Sequence, residues 1–256
     1  MRESKVKTRR IDYTGHARQY DQRRFTGDRS YYEWLRARAL GKALREIPRT
    51  ASVLDVGCGT GRGILSLSEH GFSNVTGLDL TPAMLRQAQA KTRTAGVPAP
   101  LVRGDAFALP FADGQFDVVT SLNFLHMFEF RLQNELIAEM RRVARVALVV
   151  ELESIHKGLV VSRYSEQRRL HTRTKFNSYS EVRRLFRDAD FASYRVFGSV
   201  LPLLHRWLWR APTLGAIVDS VTHLPLLGWL ASRVLVVAVV RACPHTSAPA
   251  ASGSRP

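Results

Sequence analysis

Cysteine is scarce in this sequence, whose 256 residues include two, Cys58 and Cys243. Neither stands at a spacing typical of a disulfide framework or of a metal site, so we predict a reducing compartment and no metal. Long apolar runs are missing too. No stretch reaches the roughly 18 apolar residues of a membrane-spanning helix, and the charged N-terminus lacks the apolar core of a secretory signal. A cytoplasmic location is expected.

The glycine spacing of a dinucleotide-binding loop is also missing. Counted from Gly57, the pattern Gly-x-Gly-x-x-Gly needs a third glycine at position 62, where the chain has Arg62. Counted from Gly59, it needs a glycine at position 64, where Ile64 stands. Because neither register fits, binding of NAD or FAD is not favoured.

What is present is a glycine-rich loop between a strand and a helix. Residues 52–63 read Ser-Val-Leu-Asp-Val-Gly-Cys-Gly-Thr-Gly-Arg-Gly, and the apolar run at their start is typical of a buried parallel strand. The glycines let a ligand approach the backbone closely. An amphipathic segment at 64–70 follows at once, so a ligand would meet the free N–H groups of a helix N-terminus. The pattern predicts the first half of a nucleotide-binding βαβ unit.

Charge is strongly one-sided, with a formal net charge of +16 and an isoelectric point near 10.8. Such a balance is typical of proteins that bind nucleic acid or an anionic membrane. The basic residues are mostly arginine and occur in every segment, however, so a compositional habit of the source genome explains them equally well. Both interpretations stay open.

The stretch Asp55-Val-Gly-Cys-Gly-Thr-Gly61 resembles the first motif of the class I S-adenosylmethionine (SAM) methyltransferases. The likeness is greatest to the type 11 branch, which includes the ubiquinone and menaquinone C-methyltransferases, and it extends over about residues 20–150. Leu-Pro-Phe at 109–111, followed by a short turn and a strand that begins Phe-Asp, repeats another pattern of that family. The resemblance implies SAM as cofactor and a Rossmann-like α/β fold. In that fold a seven-stranded, mostly parallel sheet has an antiparallel last strand and helices on both faces.

The resemblance also implies a set of cofactor contacts. They come from the N-terminal arm, the glycine loop, the ends of the second and third strands, and the exit of the fourth strand. The candidate cofactor-binding residues are Tyr20, Asp55, Gly57, Cys58, Gly59, Gly61, Asp79, Leu80, Asp105, Ala106, Leu122 and Asn123. Asp105 is expected to accept a hydrogen bond from the adenine amino group, which only donates. Leu122 and Asn123 are expected beside the sulfonium.

Asp79 is the candidate that the residues themselves support best. It ends the predicted second strand about twenty residues beyond the glycine loop, where a carboxylate can accept hydrogen bonds from both ribose hydroxyls. Capping of the next helix is the structural alternative. Thr81 and Pro82 already supply a cap residue and a proline at the first helical position, so we predict a ribose ligand.

His126 is the provisional catalytic base. It follows the fourth strand at the carboxyl end, near the expected path of methyl transfer, and a neutral imidazole suits proton removal at pH 7. A histidine within an apolar run more often packs or makes structural hydrogen bonds, and this alternative stays open. Asp117, at the start of the same strand, is expected to have a structural role.

Three regions are predicted along the chain. Residues 1–50 form an N-terminal arm and a covering helix over 31–47 that Pro48 closes, and 51–243 form the SAM-binding methyltransferase domain. Residues 244–256, rich in Ala, Ser and Pro, form a disordered tail. In the arm, Tyr20 and Phe25 either fold over the cofactor or anchor the arm on the core.

The segment 201–232 separates the last two predicted strands, where the family usually has a short hairpin. It contains three of the four tryptophans, interleaved with Leu, Arg and His. This composition suits a lid or an interfacial helix in peripheral contact with a membrane, and it equally suits a helical subdomain or a dimer contact. Before it, we predict a helix over 179–189 with a capping serine.

The predicted function is methyl transfer from SAM to O, N or activated C of a small, apolar molecule, such as a lipid, quinone, polyketide or other secondary metabolite. The charge supports an RNA methyltransferase as an alternative. That alternative is not favoured, because no appended RNA-binding module or Asn/Asp-Pro-Pro-Tyr/Phe signature is found. A non-catalytic partner protein with the SAM-binding fold is the second alternative. No oligomeric state is predicted.

Overall fold

The computed structural model describes residues 17, 20–21, 29–154, 176–189, 191–199 and 233–240, without the side chains of 29–35 and 198–199. Phe25, the segment 201–232 and the tail 244–256 lie outside the described residues. The helices are α1 (Arg29–Ala43), α2 (Arg62–Glu69), α3 (Pro82–Thr94), α4 (Phe130–Val143), α5 (Tyr179–Asp188) and the 3₁₀-helix η1 (Leu125–Met127). The strands are β1 (Val53–Val56), β2 (Val75–Asp79), β3 (Leu101–Arg103), β4 (Phe116–Ser121), β5 (Ala144–Glu153), β6 (Phe191–Ser199) and β7 (Arg233–Val240).

In the described part of the chain the strands form one seven-stranded sheet in the order β3-β2-β1-β4-β5-β7-β6. Neighbours from β3 to β5 pair in parallel. β7 lies antiparallel between β5 and β6, so the predicted fold class with its antiparallel last strand is confirmed. The strand order reverses between β1 and β4, and in an open α/β sheet the crevice at such a point is where ligands bind.

Hydrophobic cores lie on both faces of the sheet. Alternate residues of β5 point to opposite faces: Leu148 and Val150 face α4 and α5, whereas Ala147 and Val149 face α1 and α2. All four are buried. Burial on both faces explains why β5 is an almost continuous apolar run rather than an alternating one. Among the described residues, none of the helices is long and apolar enough to span a membrane.

The covering helix α1 ends at Ala43, so the prediction that it continues to residue 47 and is closed by Pro48 is wrong. Leu44 N still donates to Leu40 O, but the N–H of Ile47 reaches back only three residues, to Leu44 O. The chain thus tightens into turns before the proline. Arg49 Nη1 donates to Leu44 O at 3.0 Å and satisfies one of the carbonyls at the helix end.

The capping serine of α5 is Ser178. Its hydroxyl accepts from the N–H of Glu181, and the Glu181 carboxylate accepts from the N–H of Ser178. This reciprocal pair is a capping box, which satisfies two N–H groups that have no partner within the helix. A serine-capped helix was predicted here, and it is confirmed.

The amino ends of β1 and β4 are tied together by Asp117. Its Oδ2 accepts from both the N–H and the hydroxyl of Ser52 at 2.9 Å, and its Oδ1 accepts from Arg145 Nε at 3.0 Å. Burial raises the pKa of Asp117, but the hydrogen bonds from Ser52 and Arg145 outweigh it and leave the pKa below its usual value. The predicted structural role of Asp117 is confirmed.

A buried cluster of charges connects the carboxyl end of β5 to β7 and α1. Arg233 donates to Glu151 at 2.9 Å and lies 3.1 Å from Glu153, and Arg36 of α1 lies 3.9 Å from Glu151. All four residues are less than 9% exposed. Burial raises the pKa of Glu151, but the two guanidinium groups outweigh burial and hold that pKa below its usual value.

Candidate cofactor site

The glycine loop leaves β1 at the point where the strand order reverses. Gly57, Gly59 and Gly61 all have positive φ, at 72°, 53° and 81°. Two of them make room for neighbours: a Cβ at Gly57 would lie 2.5 Å from the Phe124 ring, and a Cβ at Gly61 would lie 3.1 Å from Ala88 Cβ. Gly59 is different, because a Cβ there would have no atom within 4 Å. The backbone at Gly59 therefore borders open space, as a ligand-binding loop requires.

Asp79, the last residue of β2, is hydrogen-bonded to this loop. Gly59 N donates to Asp79 Oδ2 at 2.9 Å, and Thr81 N donates to Asp79 Oδ1 at 2.8 Å. Each carboxylate oxygen can accept a second hydrogen bond, so the group can still receive two hydroxyls. Burial raises the pKa of Asp79, while the N–H groups of Thr81 and Gly59 oppose that rise.

The start of α3 has the predicted cap residue and also involves Asp79. Thr81 is the N-cap residue, but its side chain makes no capping hydrogen bond. The side chain that accepts from the helix start is that of Asp79, whose Oδ1 binds the N–H two residues further on. Thr81 as the N-cap residue and Pro82 at the first helical position are confirmed. Asp79 accepts from the N–H of this N-cap residue, since an aspartate readily bonds the backbone two residues ahead. Asp79 thus serves the fold as well as the crevice.

The ends of β2 and β3 place the other predicted adenosine contacts beside Asp79. Leu80 is 36% exposed at the carboxyl edge of the sheet. Asp105 is half-buried, and its Oδ1 accepts from Phe107 N at 3.0 Å. Ala106 next to it is buried. The edge thus offers an apolar side chain and a carboxylate with free acceptor capacity.

Asp55 lies beneath the glycine loop rather than at its surface. It is 2% exposed, and Thr120 Oγ1 donates to its Oδ1 at 3.0 Å. The first turn of α2 packs directly on the carboxylate, because a Cβ at Gly63 would lie 3.1 Å from Asp55 Cγ. Burial raises the pKa of Asp55 to about 7, against the opposing effects of the Thr120 hydroxyl and Arg36.

This raised pKa predicts an unusual pH dependence of stability. Between its unfolded pKa near 3.8 and about 7, native Asp55 holds a proton that the unfolded chain releases, so stability falls as pH rises through that window. Asp55→Asn cannot ionise at this position. Its free energy of unfolding, relative to that of the wild type, should therefore increase by roughly 2–4 kcal/mol from pH 4.5 to pH 8. Urea denaturation at both pH values measures this.

Asp117→Asn is the matched control for that comparison. The pKa of Asp117 is lowered, so its ionised form stabilises the fold above the unfolded pKa, and that contribution disappears as pH falls. The stability difference between this variant and the wild type should change with pH in the opposite direction. A difference between Asp55→Asn and the wild type that is the same at pH 4.5 and pH 8 would contradict the assignment.

Cys58 points its side chain into the core between the sheet and α2. It is 7% exposed and packs with Ile64 and Leu67. Burial raises the pKa of its thiol well above the usual value, so the thiol stays protonated and unreactive. Cys58 N donates to Leu78 O at 3.0 Å, which anchors the loop to β2. Because the Cys58 side chain lies in the core, its predicted contact with the cofactor would come from the backbone.

The exit of β4 carries the remaining predicted residues. Leu122 is 7% exposed, and half-buried Asn123 has a φ of 60°, the one non-glycine residue with positive φ in the part of the chain that the structure describes. His126 lies in η1 and is 3% exposed. A substrate could reach its imidazole only if the surrounding side chains moved, so the role of His126 as base stays a prediction.

Two residues that the sequence analysis did not single out hold this exit loop. Gln133 Nε2 donates to the carbonyl oxygens of Leu125 and Phe128, both at 3.1 Å. Asn177 Nδ2 donates to Gln133 Oε1 at 2.7 Å. Both side chains are buried. No sequence signal marks them, because the pairing joins residues 44 positions apart.

The N-terminal arm contacts α3, the helix that follows Asp79. Tyr20 packs with Ala17 against Ala83 and Met84, in the first turn of α3. Four of the described helices and strands separate Tyr20 from α3 in sequence, yet its side chain lies next to this helix. The described contacts are those of an aromatic anchor, and contact of Tyr20 with a cofactor stays a prediction. In the described residues no group of three or more His, Cys, Asp or Glu side chains is arranged to hold a metal ion.

Comparison with known protein families identifies the core of the chain. Residues 53–146 match a family described as "Methyltransferase domain". This range runs from the start of β1 into β5 and contains the glycine loop, Asp79 and Asp105. The predicted resemblance to methyltransferases is therefore confirmed over residues 53–146.

Relatives among known proteins are similar over the same region. A demethylmenaquinone methyltransferase of Thermus thermophilus is 41% identical over 86 residues, which are 33% of this chain and 38% of that protein. A 2-methyl-6-phytyl-1,4-hydroquinone methyltransferase of Synechocystis is 39% identical over 94 residues, or 36% of this chain and 29% of that protein. The chain thus covers well under half of the length of these relatives.

Similarity of fold extends further than similarity of sequence. A crystal structure of magnesium protoporphyrin IX methyltransferase from Synechocystis, with bound S-adenosylhomocysteine (SAH), superposes with a TM-score of 0.63. The superposition covers 90% of this chain and 96% of that one at 17% sequence identity. At this identity the likeness establishes the architecture of the chain.

Proposed function

We propose that this protein is a SAM-dependent methyltransferase acting on a small molecule. The observation that carries the proposal is the arrangement of Asp79 and Gly59. The carboxylate at the end of β2 is held by the glycine loop at 2.9 Å and keeps acceptor capacity for two hydroxyls, beside a backbone that borders open space. A ribose with free 2′ and 3′ hydroxyls fits such a carboxylate.

The residues around Asp79 fit the rest of an adenosine. Leu80 would cover one face of the base, and Asp105 with the Ala106 backbone would bind its polar edge. The backbone of Gly57 to Gly61 would hold the amino-acid part. Asp55 and Cys58 would contribute through the loop, since their side chains lie beneath it. Leu122 and Asn123 would line the reacting end, and Tyr20 the side next to α3.

SAM supplies a methyl group already activated on a cationic sulfur, so the chain does not have to create a strong electrophile. Its residues have to orient the acceptor in line with that methyl group and exclude water. The exit loop after β4 suits this task, because Gln133 and Asn177 hold it rigidly against the core. His126 is the candidate for removing a proton from an O–H or N–H acceptor.

An apolar acceptor of quinone, lipid or polyketide type is the favoured substrate class. The names of the two relatives place their own substrates among quinones and hydroquinones. The segment 201–232, with its tryptophans and leucines, would cover such a substrate or contact a membrane surface. We place the protein in the cytoplasm, with residues 1–50 as arm and covering helix and 51–243 as the catalytic domain.

Incubation with methyl-labelled SAM and fractionated cell extract tests the proposal. We expect label to enter a small, organic-extractable product in wild-type reactions. The Asp79→Ala variant should not form this product, because it should fail to hold the cofactor. SAH binding without labelled product from any fraction would favour the non-catalytic partner protein instead.

The net charge of +16 keeps an RNA methyltransferase as the second candidate. Binding through phosphate contacts would weaken steeply as salt rises, because each contact releases a counterion. Titration of the nuclease-treated protein with a mixed RNA pool at low and moderate salt separates the two candidates. Label in RNA would favour the second one, and absence of salt-dependent RNA binding would exclude it.

A further inference from the structure

Three side chains from separate parts of the chain meet beside the glycine loop. Thr60 belongs to the loop, Asp21 to the N-terminal arm and Lys91 to α3. Thr60 Oγ1 donates to Asp21 Oδ1 at 3.0 Å, and Lys91 Nζ donates to Thr60 Oγ1 at 3.0 Å. Lys91 Nζ also pairs with Asp21 Oδ2. The hydroxyl of Thr60 thus both donates to and accepts from a charged partner, and the three residues form a closed triad.

The triad is partly shielded from water. Thr60 is 3% exposed, and the side chains of Lys91 and Asp21 are 27% and 29% exposed. The ion pair Arg131–Glu135 on α4 is 84% and 51% exposed, as is common for pairs on a helix surface. Exposed pairs contribute little to stability, whereas a partly desolvated pair that shares a hydroxyl is stronger. The triad can therefore order the segment that carries Thr60.

The segment that carries Thr60 is the outer turn of the glycine loop. The N–H of Gly59 donates to Asp79 and the N–H of Gly61 donates to Cys58 O, both at 2.9 Å. To these backbone contacts Thr60 adds the side-chain hydrogen bonds to the arm and to α3. Thr60 lies between Gly59 and Gly61, and both glycines have positive φ. Glycine loses more backbone freedom than other residues when it is ordered. A loop that is already ordered has less entropy to lose when a ligand binds, so its affinity is higher. Because Gly59 borders the crevice, ordering at Thr60 acts on the ligand site directly.

We propose that Asp21, Thr60 and Lys91 are positioning residues for cofactor binding. They hold the outer turn of the glycine loop in the conformation that binds the cofactor, and they act through the backbone rather than by touching the ligand. The arm contributes a charge here, in addition to the packing of Tyr20. This inference rests on the proposed function, because it takes SAM as the ligand of the loop.

Isothermal titration calorimetry with SAH tests the triad. Thr60→Val keeps the shape of the side chain but removes the hydroxyl, and it should weaken SAH binding about tenfold, mainly through a less favourable entropy. Thr60→Ser retains the hydroxyl and should bind nearly as tightly as the wild type. Asp21→Asn and Lys91→Met should each weaken binding. When either is combined with Thr60→Val, the fold-loss of SAH affinity should be smaller than the product of the two single losses, because the three groups act as a unit.

Hydrogen exchange of the ligand-free protein gives a second measurement that needs no cofactor. The amides of Gly59 and Gly61 should exchange faster in Thr60→Val than in the wild type and in Thr60→Ser. Glu135→Gln, which breaks the exposed pair on α4, should change neither SAH affinity nor loop exchange. Unchanged exchange in Thr60→Val would overturn the ordering role.

The outcomes distinguish this inference from the proposed function. If Thr60→Val binds SAH as tightly as the wild type does, the positioning role is overturned and the proposed function stays intact. A lower melting temperature of Thr60→Val with unchanged SAH affinity would mark the triad as merely structural and would also overturn it. A wild-type protein that does not bind SAH at all would overturn the proposed function, and the positioning role with it.

Discussion

Asp79→Ala should lower the affinity for SAH by about a hundredfold or more. The substitution removes a charged acceptor for two ribose hydroxyls, and hydrogen bonds to charged groups contribute about 1.5–3 kcal/mol each. It also releases the N–H of Gly59, which Asp79 holds at 2.9 Å, so the loop loses an anchor at the same time. Isothermal titration calorimetry on the wild type and the variant measures the loss.

Asp117→Ala is the matched control, because it removes the same side chain from the opposite edge of the sheet. Asp117 binds Ser52 and Arg145 at the amino ends of the strands, away from the crevice. This variant should unfold at lower urea concentration but bind SAH as tightly as the wild type. If Asp79→Ala binds SAH with wild-type affinity, or if Asp117→Ala loses it equally, Asp79 is not the ribose ligand.

Arg233→Met should lower the free energy of unfolding by about 3–5 kcal/mol. The variant leaves Glu151 and Glu153 buried side by side without the guanidinium that lies between them. Arg36, at 3.9 Å from Glu151, can compensate only in part. Urea denaturation followed by circular dichroism gives the unfolding free energy at neutral pH.

Arg195→Met on the neighbouring strand is the control for loss of an arginine and gain of a methionine. Arg195 pairs with Glu46 at 2.9 Å, but both side chains are more than half exposed. Its removal should leave the denaturation midpoint nearly unchanged, since exposed ion pairs contribute little. Equal midpoints for Arg233→Met and Arg195→Met would show that burial of the cluster has no energetic consequence.

Local patterns were sufficient to predict the parts of the site that follow one another along the chain. The apolar run before Gly57 predicts β1, and the position of Asp79 at the end of the next such run predicts a carboxylate at the carboxyl edge. Both inferences depend on the period of the strands and on the rule that ligands collect at that edge. The structure confirms these placements.

Contacts between distant residues could not be predicted in this way. Asp21 and Lys91 are 70 positions apart, and nothing in the residues around either one marks the other as its partner. The same is true of Glu151 and Arg233, 82 positions apart. A charged residue within an apolar strand indicates that a partner exists, but pairing across the sheet decides which residue it is.

The end of α1 was also misjudged, because nearby side chains as well as residue preferences decide where a helix ends. Pro48 is a strong stop signal, yet α1 ends at Ala43, and Arg49 donates to Leu44 O, which also accepts from the N–H of Ile47. Thr81 is the N-cap residue of α3, yet its side chain makes no capping hydrogen bond and its own N–H donates to Asp79. Residue preferences at helix ends are weak compared with a well-placed charged acceptor.

The central claim is that the crevice behind the glycine loop binds a sulfonium nucleoside and not a dinucleotide. Competitive calorimetry with SAH and NADH on the wild-type protein tests it most directly. We expect SAH to bind with one site per chain, to lose affinity in Asp79→Ala, and to be unaffected by excess NADH. Binding of NADH to the protein, with SAH neither binding nor competing, would contradict the account.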